Sequence, residues 1–315
     1  LVDVDSYKYF IEGEPSISLI AQLGCPFQCT FCSGRNSPFL RKIRTRTTQS
    51  VVDEIEHLYL AYGMKGFMLY DDELNVNKQM VHLMKEITKL QKKHNTEFKL
   101  RGFIKAELFT DEQAEAMYEA GFRWLLTGFE SGDERILRNI KKRATRDDNT
   151  RCVEIGRNHG LKVKALMSIG HAGESTETIE NTKKWLLETK PDDFDCTIIT
   201  TYPGSPYFDD AVFNGTHYTY TDKRTGDQLH QAQLNYCVDQ DYYKGDPDGG
   251  YVSYVWTNHI SAVDLVTERE NLEREVRKEL NIAFNPARPG LTYEHSMGAG
   301  LGNVNIPDYI LRRTN

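Results

Sequence analysis

Three cysteines lie within eight residues near the start of the chain, in the segment GCPFQCTFCSG that runs from Gly24 to Gly34. Cys25, Cys29 and Cys32 follow the spacing C-x3-C-x2-C. A structural metal site usually takes four protein ligands, whereas three thiolates leave one coordination position open for another molecule. This pattern favours an iron–sulfur cluster. A zinc site with three protein ligands and a loop without metal are the alternatives.

The composition is that of an ordinary globular protein of 315 residues, with 39% hydrophobic and 27% charged residues. The net charge of −7 argues against a nucleic-acid-binding protein with a broad basic face, although the segment RKIRTR (41–46) is locally basic. The sequence contains neither an apolar run of about 18 residues nor a signal-peptide pattern. We therefore expect a cytoplasmic protein without a membrane anchor, for which nucleic acid is an unfavoured but open partner.

The other three cysteines, Cys152, Cys196 and Cys237, have no ligand-like spacing. Six cysteines in a chain of this length are too few for a disulfide framework, so a reducing compartment is predicted. These three are expected to be buried thiols, because cysteine packs as a small hydrophobic residue.

Short apolar runs alternate with amphipathic segments from residue 16 to about residue 212. The segment TDEQAEAMYEAG, for example, has Thr110 as a helix N-cap and ends at Gly121. Six such strand–helix alternations predict an α/β fold with a mainly parallel sheet and right-handed crossovers. A partial barrel and an open doubly wound sheet both fit this order. In either fold the cysteine loop follows the first strand, at the carboxyl edge where sites are built.

The segment CPFQCTFC resembles the signature of the radical S-adenosylmethionine (SAM) enzymes, including the aromatic residue Phe31 before the last cysteine. The resemblance implies a [4Fe-4S] cluster on the three cysteines, with SAM on the open iron. In that family the cluster delivers one electron, SAM splits to methionine and a 5′-deoxyadenosyl radical, and the radical takes a hydrogen atom from the substrate. A one-electron reductant such as flavodoxin or ferredoxin is implied as a partner.

Four later segments are similar to family motifs at successive strand ends: YDDELN, GFESG with a following lysine, MSIGHAGE and TYPGSP. The first stands where the family carries a Gly-Gly-Glu-like stretch that holds the SAM amino group, with two aspartates in place of the glycines. The others imply contacts to the ribose or methionine part, the carboxylate and the adenine. Apart from Phe31, the candidate SAM-binding residues are Asp71, Asp72 and Glu73, then Glu130, Ser131 and Lys142, then Met167, and finally Tyr202. If these residues do not bind SAM, Asp71, Asp72 and Glu73 are interpreted as a solvated acidic turn. Lys142 would then be a helix-end cation, and Met167 a core methionine.

The resemblance implies a partial (β/α)6 barrel over residues 16–212. Residues 1–15 are expected to be a linker-like segment, and residues 213–315 a C-terminal extension that covers the substrate pocket and adds a structural helix. The Tyr- and Gly-rich stretch 214–257 is either a lid or substrate wall, or a surface excursion. In the helix that follows, Glu273 and Arg277 are expected to pair on a solvent-exposed face.

The motifs are most similar to the cobalamin-associated subgroup of the family. However, the sequence shows neither a Rossmann-like segment before the barrel nor a D-x-H-x2-G loop, and it starts at Leu1. We expect either a cobalamin domain outside this chain or a radical core that works without one.

The predicted function is hydrogen abstraction from an unidentified substrate, with a small molecule favoured. The first alternative is the catalytic core of a cobalamin-dependent radical SAM methyltransferase, whose cobalamin would come from a separate domain or partner. The alternative of another class is a non-catalytic iron–sulfur or zinc binding module.

Overall fold

The structure, a computed structural model, describes residues 9–234 and 252–283. The strands in these ranges are β1 (Phe10–Ile11), β2 (Glu14–Leu19), β3 (Gln22–Leu23), β4 (Arg44–Thr45), β5 (Gly66–Leu69), β6 (Lys99–Phe103), β7 (Phe122–Glu130), β8 (Lys162–Ile169), β9 (Asp193–Ile198), β10 (Val212–Phe213), β11 (His217–Thr221), β12 (Gln228–Ala232) and β13 (Val255–Trp256). The α-helices are α1 (Pro38–Arg41), α2 (Thr48–Tyr62), α3 (Met80–His94), α4 (Asp111–Glu119), α5 (Glu134–Asn139), α6 (Arg146–Asn158), α7 (Thr176–Thr189), α8 (Pro206–Asp209) and α9 (Ala262–Leu280).

The main sheet has the strand order β1-β2-β5-β6-β7-β8-β9, and its strands from β2 to β9 are parallel. It curls into a half-barrel, which confirms the predicted partial barrel over the open doubly wound sheet. All four residues of β5 are buried, as expected for a parallel strand covered on both faces. Because the strands are parallel, their carboxyl ends lie at one rim of the barrel. The cysteine loop and the four later motifs are at this rim.

Local sequence signals explain where the helices begin and end. The hydroxyl of Thr47 accepts a hydrogen bond from Ser50 N at the start of α2, and Gly63 ends this helix with φ +68°. Val51 and Ile55 on the inner face of α2 are buried. Burying side chains of this size stabilises the fold by roughly 1.5–3 kcal/mol each, so the apolar stripe holds the helix on the sheet.

A small apolar cluster occupies the inner face of the barrel, apart from the main core between sheet and helices. It consists of Tyr9, Ile11, Met68 and Leu126. The guanidinium of Arg101 lies over the Tyr9 ring at 5.0 Å from its centroid. The short edge strand β1 thus packs against the inner side of the sheet.

Helix α9 covers the open edge of the barrel at β9. The carboxylate of Glu273 accepts a hydrogen bond from Cys196 N (2.7 Å), and Arg269 Nε donates to Cys196 O (2.9 Å). Arg277 donates to Phe194 O and binds Glu273 through its Nε (2.6 Å). The expectation of a solvent-exposed Glu273–Arg277 pair is therefore wrong. Both side chains are buried because they satisfy backbone groups that an edge strand leaves unpaired.

The first part of the C-terminal extension forms a second sheet of order β10-β11-β12-β13. It joins the barrel rim through polar contacts: Thr257 Oγ1 donates to Glu174 O (2.7 Å), and Asn139 Nδ2 donates to Asp227 Oδ2 (2.7 Å). Cys237, residues 1–8 of the expected linker and residues 284–315 of the extension lie outside the described residues. The domain boundaries and the role of the extension as a pocket cover remain predictions.

Cys152 and Cys196 are buried thiols without a disulfide, as their spacing suggested. In the part of the chain that the structure describes, no helix has the length and apolar character needed to span a membrane.

Candidate functional site

The three-cysteine segment is a loop between β3 and α1, at the carboxyl rim of the barrel. Gly24 begins it with φ +94°, and a Cβ here would lie 2.1 Å from Lys42 O, so only glycine fits. Cys25 N donates to Leu40 O (3.1 Å). Thr30 N donates to Ile140 O (2.9 Å), which ties the loop to the end of α5. The loop is therefore held at its start and at its middle by backbone contacts.

The thiols have a pKa above the usual cysteine range. Burial is the main cause for Cys25 and Cys29, and the ammonium of Lys142 partly offsets it at Cys29. Loss of hydration and the neighbouring Cys29 and Cys25 raise the pKa of Cys32 to about 11. Metal binding would thus release protons from these thiols.

Within residues 9–234 and 252–283, no three His, Cys, Asp or Glu side chains converge as ligands of a single metal ion. A cubane cluster does not require such convergence, because each thiolate binds a different iron atom. The arrangement of the cysteine loop is therefore no obstacle to a cluster.

Two of the three adjacent acids after β5 hold the backbone that leads into the cysteine loop. Asp71 Oδ1 accepts hydrogen bonds from Ala21 N (2.7 Å) and Gln22 N (3.0 Å), and Asp72 Oδ2 accepts one from Gly24 N (2.5 Å). Burial raises the pKa of Asp71 to about 6 in spite of these hydrogen bonds. Both carboxylates thus position the cysteine loop by binding the backbone amides that precede it.

Glu73 differs from its two neighbours because its carboxylate faces a cavity of about 300 Å³ inside the barrel. No side chain or backbone N–H among the described residues hydrogen-bonds to this carboxylate. Burial raises its pKa to about 7, although the ammonium groups of Lys142 and Lys105 lower it. A partly buried acid without a partner in a cavity is a site for a cationic group.

Glu130 and Lys142 form an ion pair at the wall of the same cavity, with 3.1 Å between Glu130 Oε1 and Lys142 Nζ. The register of β7 against β8 shifts between Gly128 and Glu130, and Glu130 has φ +64°. A Cβ at Gly128 would lie 2.5 Å from Glu130 Oε1, so the glycine makes room for the pair. Burial disfavours both charges, but the pair outweighs it: the pKa of Glu130 is lowered and that of Lys142 is raised.

A buried hydrogen-bonded chain continues from Glu130 away from Lys142. Ser168 Oγ donates to Glu130 Oε2 (2.7 Å) and lies 2.8 Å from His171 Nε2. The phenol oxygen of Tyr207 lies 3.5 Å from His171 Nδ1. Burial lowers the pKa of His171 to about 4, so its ring is neutral at pH 7. The sequence assigned no role to Ser168 or Tyr207, because nothing in their spacing marks them.

Lys105 is a second buried cation beside the cysteine loop. Its ammonium lies 4.3 Å from the Phe27 ring centroid, 3.2 Å from Lys142 O and 2.9 Å from Glu107 Oε1. The Asn75 side chain donates to Lys105 O (2.9 Å) and accepts from Lys105 N (2.8 Å), which fixes the backbone there. Sequence reasoning missed Lys105; the signal available was its position in the segment that follows the carboxyl end of β6.

The other candidates divide between the cavity and its surroundings. Met167 lines the cavity, while Phe31 packs against the His171 ring at 5.4 Å between centroids. Ser131 is buried against α7, 3.0 Å from Thr182 Oγ1, and does not line the cavity. Tyr202 is partly buried in a turn whose Gly204 O accepts a hydrogen bond from Asn36 N (3.2 Å), just beyond the cysteine loop. The assigned contacts of all these residues to SAM stay predictions.

The family comparison agrees with this geometry, since the Radical SAM superfamily model matches residues 19–186. The chain belongs to the radical SAM superfamily. Enzymes of this family use a [4Fe-4S] cluster and SAM. The matched range contains the cysteine loop, the acids after β5 and the Glu130–Lys142 pair.

The curated relatives include an uncharacterized methyltransferase of Pyrococcus horikoshii, 29% identical over 214 residues, which are 68% of this chain and 45% of the relative. The anaerobic magnesium-protoporphyrin IX monomethyl ester cyclase of Rubrivivax gelatinosus is 26% identical over 242 residues, which are 74% of this chain and 43% of that enzyme. The chain thus spans about half the length of these relatives.

A solved structure with the same fold is that of the radical SAM methyltransferase TsrM from Kitasatospora setae, bound to tryptophan and a SAM analogue. The TM-score is 0.61 over 86% of this chain and 52% of that chain, at 19% identity. A second structure of TsrM, with cobalamin and a [4Fe-4S] cluster, gives a TM-score of 0.60 over 87% of this chain. At this identity the likeness shows a shared fold.

The residues present fit both groups that the family uses. Three thiols without a disulfide lie on one anchored loop, and their number leaves one iron of a cubane cluster for another ligand. The Glu73 carboxylate, without a hydrogen-bonding partner among the described residues, offers an acceptor for an amino group. Lys142 offers a cation for the SAM carboxylate. Its ammonium lies close enough to Cys29 to lower the pKa of that thiol.

Proposed function

We propose that this chain is the catalytic core of a radical SAM enzyme that abstracts a hydrogen atom from an unidentified small molecule. The observation that carries the proposal is the cavity-facing carboxylate of Glu73, which lacks a hydrogen-bonding partner in the described ranges. It lies close enough to the cysteine loop to raise the pKa of Cys25 and Cys29. An acceptor for the SAM amino group thus stands beside three cluster ligands.

When bound, the cluster and SAM supply the electron transfer and the 5′-deoxyadenosyl radical that takes the hydrogen atom. Cys25, Cys29 and Cys32 would hold three irons of the cluster. Glu73 would accept hydrogen bonds from the amino group, and Lys142 would face the carboxylate while Glu130 holds its ammonium in place. Phe103, Leu166 and Met167 would line the space next to the adenosyl group and exclude water from it.

A second candidate is the catalytic core of a cobalamin-dependent radical SAM methyltransferase. Two observations favour it: a curated relative is named a methyltransferase, and the TsrM structures match 86–87% of this chain. In this candidate a separate domain or a partner provides the cobalamin. Under either proposal the enzyme works in the cytoplasm with a one-electron reductant.

Anaerobic reconstitution with iron, sulfide, SAM and a chemical reductant tests the proposal. Wild-type protein should bind about one cluster and convert SAM to 5′-deoxyadenosine, with deuterium incorporated from a labelled substrate. Cys29→Ala should abolish iron binding and cleavage, whereas Cys152→Ala, a change at a buried thiol in α6, should retain both. Cleavage that survives Cys29→Ala would contradict the site assignment.

The same reaction separates the two enzyme candidates. The methyltransferase core should form S-adenosylhomocysteine only when cobalamin is supplied, and the first candidate should not respond to it. A non-catalytic iron–sulfur module would bind the cluster, but SAM would leave the spectrum of the reduced cluster unchanged.

A further inference from the structure

Lys105 is a buried lysine to which the proposed SAM site gives no role. It lies in the segment that follows β6 at the carboxyl rim, and its side chain is almost completely removed from water. An ammonium has three N–H donors, and three partners surround this one. They are Glu107 Oε1 at 2.9 Å, Lys142 O at 3.2 Å and the face of the Phe27 ring, whose centroid is 4.3 Å away.

These contacts keep Lys105 out of the cavity. The cavity lining includes Glu73, Glu130 and Lys142 but not Lys105. The backbone of Lys105 is also held, because Asn75 accepts a hydrogen bond from Lys105 N (2.8 Å) and donates one to Lys105 O (2.9 Å). The ammonium would have to break its ion pair to reach a ligand in the cavity. Lys105 is therefore a charge fixed in position and not a ligand-binding group.

Stability alone does not explain a lysine at this place. The side chains of the Lys105–Glu107 pair are 1% and 14% exposed, so both charges have lost most of their hydration. This loss offsets the attraction between them, and a buried ion pair often stabilises a fold no more than apolar side chains of the same size. The position of the cation relative to the cysteine loop gives a better reason for its presence.

Lys105 touches the cysteine loop midway between two of its thiols. Phe27, whose ring faces the ammonium, stands between Cys25 and Cys29, and its backbone N–H donates a hydrogen bond to the Cys25 sulfur. Burial raises the pKa of Cys25 and Cys29, and the Lys105 charge opposes this effect at both thiols. Glu107 is not among the main charges that act on either thiol, so the loop experiences the cation of the pair more than the anion.

We propose that Lys105 is a fixed cation that stabilises the one-electron-reduced state of the cluster and so raises its reduction potential. The inference rests on the proposed function, since it assumes a cluster on the cysteine loop. When one electron from a reductant enters the oxidised cluster, no bond forms or breaks, and the negative charge of the cluster with its thiolates grows by one. A cation held nearby favours the more negative state, and water screens a buried cation only weakly.

Four substitutions separate the charge of Lys105 from its shape. Lys105→Met removes the charge and keeps a side chain of similar length, whereas Lys105→Arg keeps the charge. Glu107→Gln removes the anion of the pair and leaves the cation. Lys99→Met is the control, because Lys99 lies at the amino end of β6, away from the rim, with its ammonium 3.2 Å from Glu97 Oε2.

A redox titration measures the reduction potential directly. Each protein would be reconstituted anaerobically with iron and sulfide and titrated with titanium(III) citrate, which gives up one electron and becomes titanium(IV). Electron paramagnetic resonance would follow the reduced fraction against the solution potential, without SAM, at low and high salt. Iron content would show whether each variant carries a cluster, and calorimetry would give its dissociation constant for SAM.

We expect Lys105→Met to lower the ratio of reduced to oxidised cluster about tenfold at a fixed solution potential, which is a shift of about 59 mV to more negative potential. Lys105→Arg should restore most of the wild-type value. Glu107→Gln should shift the potential in the opposite direction, because it leaves the cation unneutralised. Lys99→Met should match the wild type, and high salt should leave the effect of Lys105→Met in place.

An unchanged potential in Lys105→Met would overturn the inference and leave the proposed function intact. So would equal shifts in Lys105→Met and Lys105→Arg, because packing and not charge would then be the cause. Weaker SAM binding at an unchanged potential would assign Lys105 to SAM instead, which also contradicts the inference.

Glu107→Gln provides a second test in which the contact between Lys105 and Phe27 is kept. If Lys105→Met failed to take up the cluster, a potential of Glu107→Gln that was not more positive than that of the wild type would overturn the inference. Absence of a cluster in the wild type would refute the proposed function together with this inference.

Discussion

The ammonium of Lys142 lies 3.1 Å from Glu130 Oε1, and both side chains are almost completely removed from water at the cavity wall. The pair links the end of β7 with the short segment that follows α5. It keeps two opposite charges beside the thiol of Cys29, whose pKa both of them influence. The ion pair therefore stabilises the wall of the cavity in which we propose that SAM binds.

Replacing Lys142 with methionine should strongly destabilise the apoprotein. The change leaves the Glu130 carboxylate buried without its cation, and breaking a buried pair in this way costs about 3–5 kcal/mol. Urea unfolding would measure the loss against Lys141→Met, an exposed neighbour that should change stability by less than about 0.5 kcal/mol. The double variant Glu130→Gln/Lys142→Met should lose clearly less than the sum of the single changes. Additive losses would show that the two charges do not interact.

Glu174 should make the apoprotein less stable as the pH rises. Burial raises its pKa from 4.5 to about 7, although Thr178 and the amides of Gly170 and His171 donate hydrogen bonds to it. A raised folded-state pKa contributes stability that is fully present below pH 4.5 and is lost as the pH rises through 7. The contribution is about 3 kcal/mol between these limits.

Unfolding of wild type and Glu174→Gln across pH 4.5–8 measures this contribution by difference. Effects of other titrating groups, such as the opposite contribution of His171, cancel in that comparison. Exposed Glu177→Gln in the same helix region is the control and should follow the wild type at every pH. If Glu174→Gln also ran parallel to the wild type, the carboxyl would not carry a raised pKa.

The order of elements along the chain was sufficient to predict a mainly parallel α/β sheet, but it took the family resemblance to favour the partial barrel over an open doubly wound sheet. Six apolar runs separated by amphipathic segments leave few topologies once crossovers are right-handed, and the half-barrel is confirmed. The cysteine spacing and four strand-end motifs also predicted which rim carries the site. Both predictions depend on local patterns, which a single sequence displays.

The sequence could not assign directions to adjacent side chains. Asp71, Asp72 and Glu73 are adjacent acids that the sequence does not distinguish. In the structure, Asp71 and Asp72 bind the backbone that leads into the cysteine loop, whereas Glu73 faces the cavity. The Glu273–Arg277 spacing is the same whether the helix face is wet or covers a strand edge, so its burial was missed. Contacts between residues far apart in the chain determine both the directions of the acids and the burial of this pair. The spacing of residues along the sequence does not reveal such contacts.

Arg277 should be the residue of α9 that stabilises the barrel edge most. Its guanidinium lies 3.3 Å from Asp193 Oδ1 and 3.2 Å from Asp195 Oδ1, and it also binds Glu273. Arg277→Met would leave buried carboxylates short of a cation and a strand carbonyl without a donor. We expect a loss of about 3–5 kcal/mol in urea unfolding.

The control for this change is Arg274→Met on the same helix. Arg274 is largely exposed, and its nitrogen lies 3.8 Å from Glu270, so the change should cost less than about 1 kcal/mol. Equal losses in the two variants would mean that α9 does not stabilise β9 through the buried network.

Glu73 and Asp71, two of the three acids after β5, should differ in the property that their substitution changes. The change at Glu73 should lower SAM affinity, and the change at Asp71 should lower stability. Glu73→Gln keeps the shape of the side chain but removes the charge that faces the cavity. We expect the SAM dissociation constant of the reconstituted protein to rise roughly tenfold or more, because a charge-assisted hydrogen bond contributes about 1.5–3 kcal/mol. Stability should not fall, since no described group donates to this carboxylate and its burial is unfavourable.

Asp71→Asn should show the reverse behaviour. Its Oδ1 holds the amides of Ala21 and Gln22, so the change should weaken the fold by roughly 1–3 kcal/mol and alter SAM affinity less than Glu73→Gln does. Calorimetry with SAM and urea unfolding of the apoprotein give the two quantities for each variant. If Glu73→Gln bound SAM as tightly as the wild type, the amino-group contact would have to be assigned to another residue, whatever the behaviour of Asp71→Asn.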